Sequence, residues 1–320
     1  MISENRPFFS VVIPLYNKQN YIKETIKSVL NQTFQDFEIV IVNDGSKDDS
    51  VKVVESIQDD RIKLLHQKNS GVSVARNKGI KEAKADYVAF LDADDLWLPE
   101  FLQTIYELIQ NFPDAGLYAT AYKKRKENGE EFGINIQALP SKEYEGYLPN
   151  YFESIVKGDN LVWSSATCIP KKVFIENDIW FPVGEKYGED QYVWARVAMK
   201  FAIAYSTKIC SLYKIEAENN TINVILKEKE AHKSFLMMID FRDSIKDEKL
   251  LFYFDKYIEK LLKGFVYRNI LRGDKIYAFK QMFEYRLSFK YKIIFMILFL
   301  LPISSYKFLQ NIRNSLKKNY

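Results

Sequence analysis

Four strand-like segments, separated by segments of helical periodicity, occupy the first ninety residues of this chain. They are Phe8 to Leu15, Phe37 to Val42, Arg61 to Leu65 and Tyr87 to Phe90. A strand that is apolar along its whole length is buried on both faces, as in a parallel sheet covered by helices on each side. The pattern therefore predicts an α/β fold with a Rossmann-like, mostly parallel sheet and helices on both faces.

Polar side chains follow three of these segments directly. In an open α/β sheet, ligands bind beyond the carboxyl ends of the strands. The polar clusters should therefore meet at one rim of the sheet, which predicts a single ligand site there. They are Tyr16 with Asn17, Asp44 to Ser46, and Asp92 with Asp94 and Asp95.

The three aspartates repel one another when they are ionised. Such a cluster is stable where a cation or several hydrogen-bond donors compensate its charge, and carboxylate oxygens suit Mg²⁺ or Mn²⁺. The alternative is an acidic turn that caps the next helix, because Asp is common at helix starts. The cluster by itself does not separate the two.

Other residue types argue against further kinds of site. Cys168 and Cys210 both lie in apolar segments, which predicts buried thiols in a reducing setting. His66 and His232 share no ligand spacing with the cysteines, so we expect no zinc site. The N-terminus has no basic segment followed by an apolar one, so we expect no signal peptide and a cytoplasmic protein.

The pattern becomes less regular after the fourth strand. Strands are predicted at Gly116 to Tyr122 and Leu161 to Ile169, and a helix from Glu189 to about Lys200. The remainder of the chain has mainly helical character. We therefore divide the chain into an α/β domain of residues 1–215 and a helical, basic region of residues 216–320.

The last fifty residues are basic and apolar at once. Residues 272–320 contain ten Lys or Arg and two acidic residues, a net charge of +8, against +4 for the whole chain. The apolar run Ile293 to Leu301 is too short to span a bilayer, which takes about 20 residues. Such a segment predicts peripheral attachment to an anionic membrane surface, on the inner face of the cell membrane. The alternative is a core helix of a small bundle, and no motif indicates nucleic acid.

Five short motifs occur in order: P-L-Y-N at Pro14 to Asn17, N-D-G-S at Asn43 to Ser46, N-S-G-V-S-V-A-R-N at Asn69 to Asn77, F-L-D-A-D-D at Phe90 to Asp95 and G-E-D at Gly188 to Asp190. Together they resemble the family 2 glycosyltransferases over roughly residues 8 to 215. Each motif alone is modest, and the specificity comes from all five in order.

The resemblance implies a GT-A fold, a nucleotide-sugar donor, a divalent cation (Mn²⁺ or Mg²⁺) and transfer with inversion. It implies a nucleotide-binding part at about residues 8–122 and an acceptor part at about 123–215. Members often build bacterial envelope polysaccharides. The chain lacks the Q-x-x-R-W signature of processive synthases. We therefore expect addition of a single hexosyl or N-acetylhexosaminyl unit to a glycan or lipid-linked acceptor.

Residue by residue, the resemblance implies the following donor site. Asp44 matches the aspartate that accepts a hydrogen bond from the uracil ring, which favours a UDP-sugar; the alternative is a turn that starts the next helix. Asp94 matches the metal-binding aspartate, Asp92 would lie near the ribose or the metal, and Asp95 would cap the following helix. The nucleotide-sugar site would also include Pro14, Tyr16, Asn17, Arg76 and Asn77, the last two having an exposed polar helix face as their alternative.

Asp190 is the predicted general base. Inverting transfer needs a carboxylate opposite the leaving nucleotide to take the proton of the acceptor hydroxyl. Glu189, also a candidate catalytic residue, should point elsewhere because adjacent helix positions do not share a face. Trp163 and Trp180 are candidates for stacking on acceptor sugars, although a buried core position is commoner for Trp.

Two other functions are less favoured. A catalytically silent nucleotide-sugar or glycan-binding module would not need the set Asp44, Asp94 and Asp190. A nucleotidyltransferase is disfavoured because no Gly-rich, Lys-bearing phosphate loop follows the first strand.

Overall fold

The computed structural model describes residues 6–185, 187–216, 231, 233–285 and 289–300. Ten strands lie within these ranges. In chain order, β1 to β10 are Phe9–Leu15, Phe37–Asn43, Ile62–His66, Tyr87–Phe90, Leu96–Trp97, Leu117–Arg125, Glu131–Gly133, Glu145–Tyr147, Thr167–Pro170 and Ile203–Lys214.

Eleven α-helices lie within the same ranges, with 3₁₀ turns at Ser164–Ala166 and Arg242–Ser244. In chain order, α1 to α11 are Ile22–Leu30, Ser50–Glu55, Val72–Glu82, Phe101–Asn111, Tyr151–Lys157, Lys171–Asn177, Glu189–Ala198, Lys233–Ile239, Glu248–Leu271, Lys275–Glu284 and Phe289–Leu300.

One sheet runs through the molecule in the order β3-β2-β1-β4-β9-β6-β10-β5, with β7 on β6 and β8 on β10. The pairs β1–β2, β2–β3 and β1–β4 are parallel, as the sequence predicts. Strand β9 then runs antiparallel between β4 and β6. The sheet is therefore parallel in its first half and mixed beyond it.

The segment from Leu161 to Ile169 is only partly a strand. A 3₁₀ turn precedes the short β9. Ser164 and Ser165 in this turn direct their hydroxyls to carboxylates of other segments. Serine favours turns over strands because its hydroxyl readily bonds such local acceptors.

The core lies on both faces of the sheet. Along β1, Val11 and Ile13 are buried in one apolar cluster and Val12 in the other. Helix α3 packs closely on this strand because it carries Gly79 there: a Cβ at Gly79 would lie 2.3 Å from Val12 Cγ1. Arg76 lies about one helical turn earlier in α3, so this close approach also fixes the distance of Arg76 from the sheet.

The C-terminal helices share this core. The rings of Phe254 and Tyr257 in α9 each lie 5.3 Å from Phe152 in α5. Phe295 in α11 belongs to the same buried cluster as Phe90 in β4. Residues on both sides of the predicted division after residue 215 belong to this cluster, so the apolar core continues across it.

Helices α10 and α11 also expose apolar side chains, which we call the apolar C-terminal surface. Among the described residues no helix combines the length and apolar character needed to cross a bilayer. Most of the predicted run from Ile293 lies in α11, and its last residue, Leu301, lies outside the described residues. The surface consists of Ile276, Phe279, Phe283, Phe289, Ile297 and Leu300, which are 41 to 82% exposed.

Candidate active site

Strands β1, β2 and β4 end at one rim of the sheet. Leu15 pairs with Asn43, and the next residue, Asp44, donates its backbone N–H to Leu15 O at 2.8 Å. Beyond β4, Leu91 N donates to Val12 O at 3.1 Å. The structure thus brings the predicted polar clusters to the same rim.

Asp44 organises the loop that leads into α3. Its Oδ1 accepts hydrogen bonds from Gln67 Nε2 and Ser70 N, and its Oδ2 accepts one from Gly71 N, all at 2.8 Å. Gly71 has φ +93°, which favours glycine. A carboxylate offers about four acceptor positions, and its partners among the described residues use three of them. The contact between Asp44 and a uracil ring stays a prediction.

Pro14, Tyr16 and Asn17 form the end of β1 and the turn after it. Asn17 has φ +51°, and its Oδ1 accepts a hydrogen bond from Lys47 N at 2.8 Å. Its own N–H donates to Ser46 Oγ at 3.1 Å. Pro14 is half-buried, whereas Tyr16 is 41% exposed, so the Tyr16 ring is the part of this wall most open to a ligand.

Asp92 and Asp94 each contact a cation of the protein. Lys18 Nζ lies 2.6 Å from Asp94 Oδ2, and Arg76 Nη2 lies 2.6 Å from Asp92 Oδ1. Burial raises the pKa of Asp94, and the charge of Lys18 opposes this shift. The sequence analysis missed Lys18, although it directly follows the P-L-Y-N motif.

The two carboxylates fit a divalent cation together with a ligand's phosphates. The contacts with Arg76 and Lys18 use one oxygen of each carboxylate, Asp92 Oδ1 and Asp94 Oδ2. The same ranges contain no group of three or more His, Cys, Asp or Glu arranged to hold a metal. Mg²⁺ is commonly held by one or two carboxylates plus substrate phosphates. Asp94 therefore remains the predicted metal ligand.

Asp95 does not cap the following helix, contrary to the sequence prediction, because β5 lies between it and α4. Its carboxylate is buried and accepts hydrogen bonds from Trp163 Nε1 at 3.1 Å, Ser165 Oγ at 2.5 Å and Lys214 N at 3.1 Å. Burial, aided by the neighbouring aspartates, raises the pKa of Asp95 well above its ordinary value. Asp95 thus anchors the loop that carries Asp92, Asp94 and Asp95, which we call the acidic loop, to the rest of the fold.

Arg76 joins the F-L-D-A-D-D motif after β4 to the G-E-D motif at the start of α7, and we call these two the acidic motifs. Its Nη2 contacts Asp92, and its Nη1 donates to Glu189 Oε1 at 2.8 Å. The side chain is buried, so an exposed helix face is the wrong interpretation of Arg76. Burial disfavours its charge, but the attraction of Asp92, Glu189 and Asp190 outweighs this and raises its pKa.

Asn77 and Trp180 lie beside this link. Asn77 Nδ2 donates to Phe181 O at 2.8 Å, and Phe181 N donates to Asn77 Oδ1 at 3.0 Å. Trp180 lines a cavity of about 520 Å³ with Lys81 and Arg196. The amide of Asn77 therefore holds the backbone segment that precedes α7, and its contact with a nucleotide stays a prediction.

Glu189 and Asp190 start α7 and point to different partners, as the sequence predicts. Glu189 binds Arg76, whereas Asp190 accepts hydrogen bonds from Ser164 Oγ at 3.2 Å and Gln191 N at 2.7 Å. Burial raises the pKa of both carboxyl groups, that of Glu189 to about 7. Glu189 is thus held by Arg76, whereas the partners of Asp190 are a serine of the turn before β9 and the backbone of its own helix.

Trp163 lies close to both acidic motifs. Its ring centroid is 4.2 Å from that of Tyr213 and 5.8 Å from that of Tyr122. Its indole N–H contacts Asp95, and the next residue, Ser164, contacts Asp190. The sequence analysis did not single out Ser164, and its position directly after Trp163 was the available signal.

The chain is similar in sequence to known bacterial proteins. Residues 10–168 match the family model described as glycosyl transferase family 2. The chain is 35% identical over 216 residues to an uncharacterized glycosyltransferase of Rickettsia conorii, covering 66% of this chain and 33% of that protein. It is 30% identical over 233 residues to glycosyltransferase GlyA of Streptococcus pneumoniae, covering 70% of this chain and 32% of GlyA. The chain thus spans about a third of these relatives' length.

In three dimensions the chain is similar to TarS 1-349 of S. aureus. The complex of that protein with UDP gives a TM-score of 0.66 at 20% identity, covering 98% of this chain and 92% of that chain. Its complex with UDP-GlcNAc gives 0.64 at 20% identity, covering 87% and 80%. The likeness confirms the predicted fold class, including the helical C-terminal region.

Replacing Arg76 by Met should destabilise the protein by about 3–5 kcal/mol, because it leaves the buried Glu189 and the half-buried Asp92 without a cation. Without the cation the pKa of both carboxyl groups rises in the folded state, which then keeps protons that the unfolded state has released. The loss of stability should therefore be larger at pH 8 than at pH 6. Denaturant unfolding at both pH values measures it.

The double variant Arg76→Met/Glu189→Gln is the control for this prediction. Removing one uncompensated carboxylate should recover part of the stability, most of all at pH 8. Equal stability of wild type and Arg76→Met at both pH values would show that the ion pairs do not join the motifs.

Proposed function

The chain belongs to glycosyl transferase family 2 over residues 10–168, and from this premise we propose that it transfers one sugar from a UDP-sugar, with inversion, to a glycan or lipid-linked acceptor. The observation that supports this most is the contact of Arg76 with both Asp92 and Glu189, because it joins the proposed donor side to the residue next to the proposed base Asp190.

The donor side consists of Asp44, Tyr16 and the acidic loop. Asp44 would accept the uracil N–H at its remaining acceptor position, and the exposed Tyr16 ring would form the wall beside the nucleotide. Asp94 would hold Mn²⁺ or Mg²⁺, and such a cation supplies positive charge that stabilises a departing diphosphate. Lys18, 2.6 Å from Asp94, brings a second positive charge to the same place.

Asp190 would act as the general base. The acceptor hydroxyl oxygen attacks the anomeric carbon, its proton passes to the Asp190 carboxylate, and the bond from the anomeric carbon to UDP breaks with its electron pair leaving on UDP. Burial raises the pKa of Asp190, which strengthens it as a proton acceptor. Glu189 would instead hold Arg76 in place.

The acceptor would be a bacterial envelope glycan, since the similar proteins named above come from bacteria. Trp163, beside Asp95 and Asp190, would contact the sugar that receives the new unit. Trp180 lies in the neighbouring cavity of about 520 Å³ and would contact a more distant part of the acceptor.

The apolar C-terminal surface would attach the enzyme to the cytoplasmic face of the membrane, where a lipid-linked acceptor is accessible. Phe289 and Leu300 are 77% and 82% exposed at the two ends of α11, and Lys290 and Lys292 lie on the same helix. Residues 285–320 contain no acidic residue, so their charge is complementary to anionic lipid. Arg286, a further basic residue of this segment, lies outside the described residues.

Asp94→Asn should abolish the gain in UDP affinity that Mn²⁺ produces, because the amide keeps the shape of the side chain and loses its charge. Asp44→Ala should weaken UDP binding with and without Mn²⁺. Calorimetry with the full chain measures both. The exposed Asp114→Asn is the matched control, and unchanged UDP affinity in both test variants would refute the proposed donor site.

Asp190→Asn should leave UDP affinity nearly intact and lower turnover by roughly 10²–10⁴-fold, the usual contribution of a general base. Release of UDP from UDP-glucose, UDP-galactose or UDP-GlcNAc with Mn²⁺ measures turnover. Activity retained in Asp190→Asn but lost in Glu189→Gln would exchange the two roles. A wild type that binds UDP without any turnover would instead support the silent binding module.

The full chain should sediment with phosphatidylglycerol vesicles at low salt and less at high salt, because the attraction is screened. Lys290→Glu/Lys292→Glu should weaken binding, since each Lys contributes about 1 kcal/mol near an anionic surface. Lys23→Glu/Lys27→Glu on α1 is the matched control. Equal binding to neutral vesicles, or an equal effect of the control, would contradict a specific basic anchor.

A further inference from the structure

The turn Trp163-Ser164-Ser165 touches both acidic motifs. Ser164 Oγ donates to Asp190 Oδ2 at 3.2 Å. Ser165 Oγ donates to Asp95 Oδ2 at 2.5 Å and accepts a hydrogen bond from Asp92 N at 3.0 Å. Three consecutive residues therefore connect the proposed base, Asp190, to the acidic loop.

We propose that this turn is a positioning element in which Ser164 orients the Asp190 carboxylate, while Ser165 and Trp163 hold the acidic loop. The inference deepens the proposed function and rests on it. It gives the two adjacent serines separate roles, one on the acceptor side of the reaction and one on the donor side.

The turn is rigid enough for this task. Ser164 and Ser165 are 2% and 0% exposed. Trp97 Nε1 donates to Ser165 O at 2.7 Å, and Thr167 Oγ1 donates to Trp163 O at 2.6 Å. A hydroxyl held this way keeps its partner oriented without ordering it during the reaction, which is the advantage of a preorganised site.

The 3₁₀ geometry explains why adjacent serines reach different motifs. Three residues complete one turn, so successive side chains point about 120° apart. Ser164 therefore faces α7, and Ser165 faces the loop after β4. A strand at this place would send adjacent side chains to opposite faces of the sheet, and both hydroxyls could not remain at the rim.

Ser164 also acts on the charge of Asp190. Burial raises the pKa of Asp190, while Arg76 and the hydrogen bond from Ser164 oppose this shift by favouring the ionised form. Without the Ser164 hydroxyl the pKa of Asp190 should rise further. As the pH falls, the ionised base should then become protonated, and activity lost, already at a higher pH than in the wild type. The other charged or titratable groups acting on this carboxylate are Asp92, Glu189, Tyr122, Tyr151 and Tyr257.

The test compares Ser164→Ala with Ser165→Ala, since both remove one buried hydroxyl from the same turn. Ser164→Ala should lower kcat of UDP-sugar turnover roughly 10- to 100-fold, as for loss of one hydrogen bond to a charged group. It should also move the acid limb of the pH profile to higher pH and leave UDP affinity with Mn²⁺ unchanged. Ser165→Ala should weaken that UDP affinity without moving the acid limb. Ser164→Thr keeps the hydroxyl and should restore the kcat and the acid limb of the wild type.

A second measurement does not depend on activity. In protein labelled with ¹³C at the Asp carboxyl carbons, the Asp190 resonance is assigned by Asp190→Asn and titrated. Its pKa should rise in Ser164→Ala and stay unchanged in Ser165→Ala. An equal shift in both variants, or in neither, would overturn the positioning role, whether or not Ser164→Ala is well folded enough for kinetics. A wild type that neither binds UDP nor turns over UDP-sugars would refute the proposed function, and the titration would still decide the Ser164 contact.

Discussion

The buried guanidinium of Arg76 is the interaction on which the rest of the site depends. Asp92 and Glu189 come from segments almost a hundred residues apart, and the half-buried Asp92 and the buried Glu189 need a cation between them to carry their charges side by side. Arg76 can lie there because Gly79 lets α3 approach β1 closely. A packing feature of the core thus determines where the charges of the site can be placed.

The rim of the sheet could be predicted from sequence because parallel strands must present their carboxyl ends at the same edge. The positions of Tyr16, Asp44 and Asp92 follow from this rule alone. The partners of each carboxylate do not, since Lys18 reaches Asp94 across 76 positions of the chain. Such pairs depend on how helices pack on the sheet, which local periodicity does not encode.

Asp95 shows the limit of local reasoning most clearly. An aspartate shortly before a helix is usually a cap, yet its partners Trp163, Ser165 and Lys214 lie 68 to 119 residues further along the chain. The C-terminal helices show a similar limit. Their existence follows from the apolar pattern, whereas the burial of Phe295 and the exposure of Leu300 on the same helix depend on how α11 packs.

The continuous core has a consequence for where this molecule can be divided. Similarity to the family model ends at residue 168, whereas Asp190 begins a later helix and the buried cluster extends to Phe295. A fragment cut where similarity ends would keep the acidic loop and lose both α7 and the aromatic side chains that cover Phe152. The stretch that the family model matches is therefore shorter than the stretch that builds the apolar core.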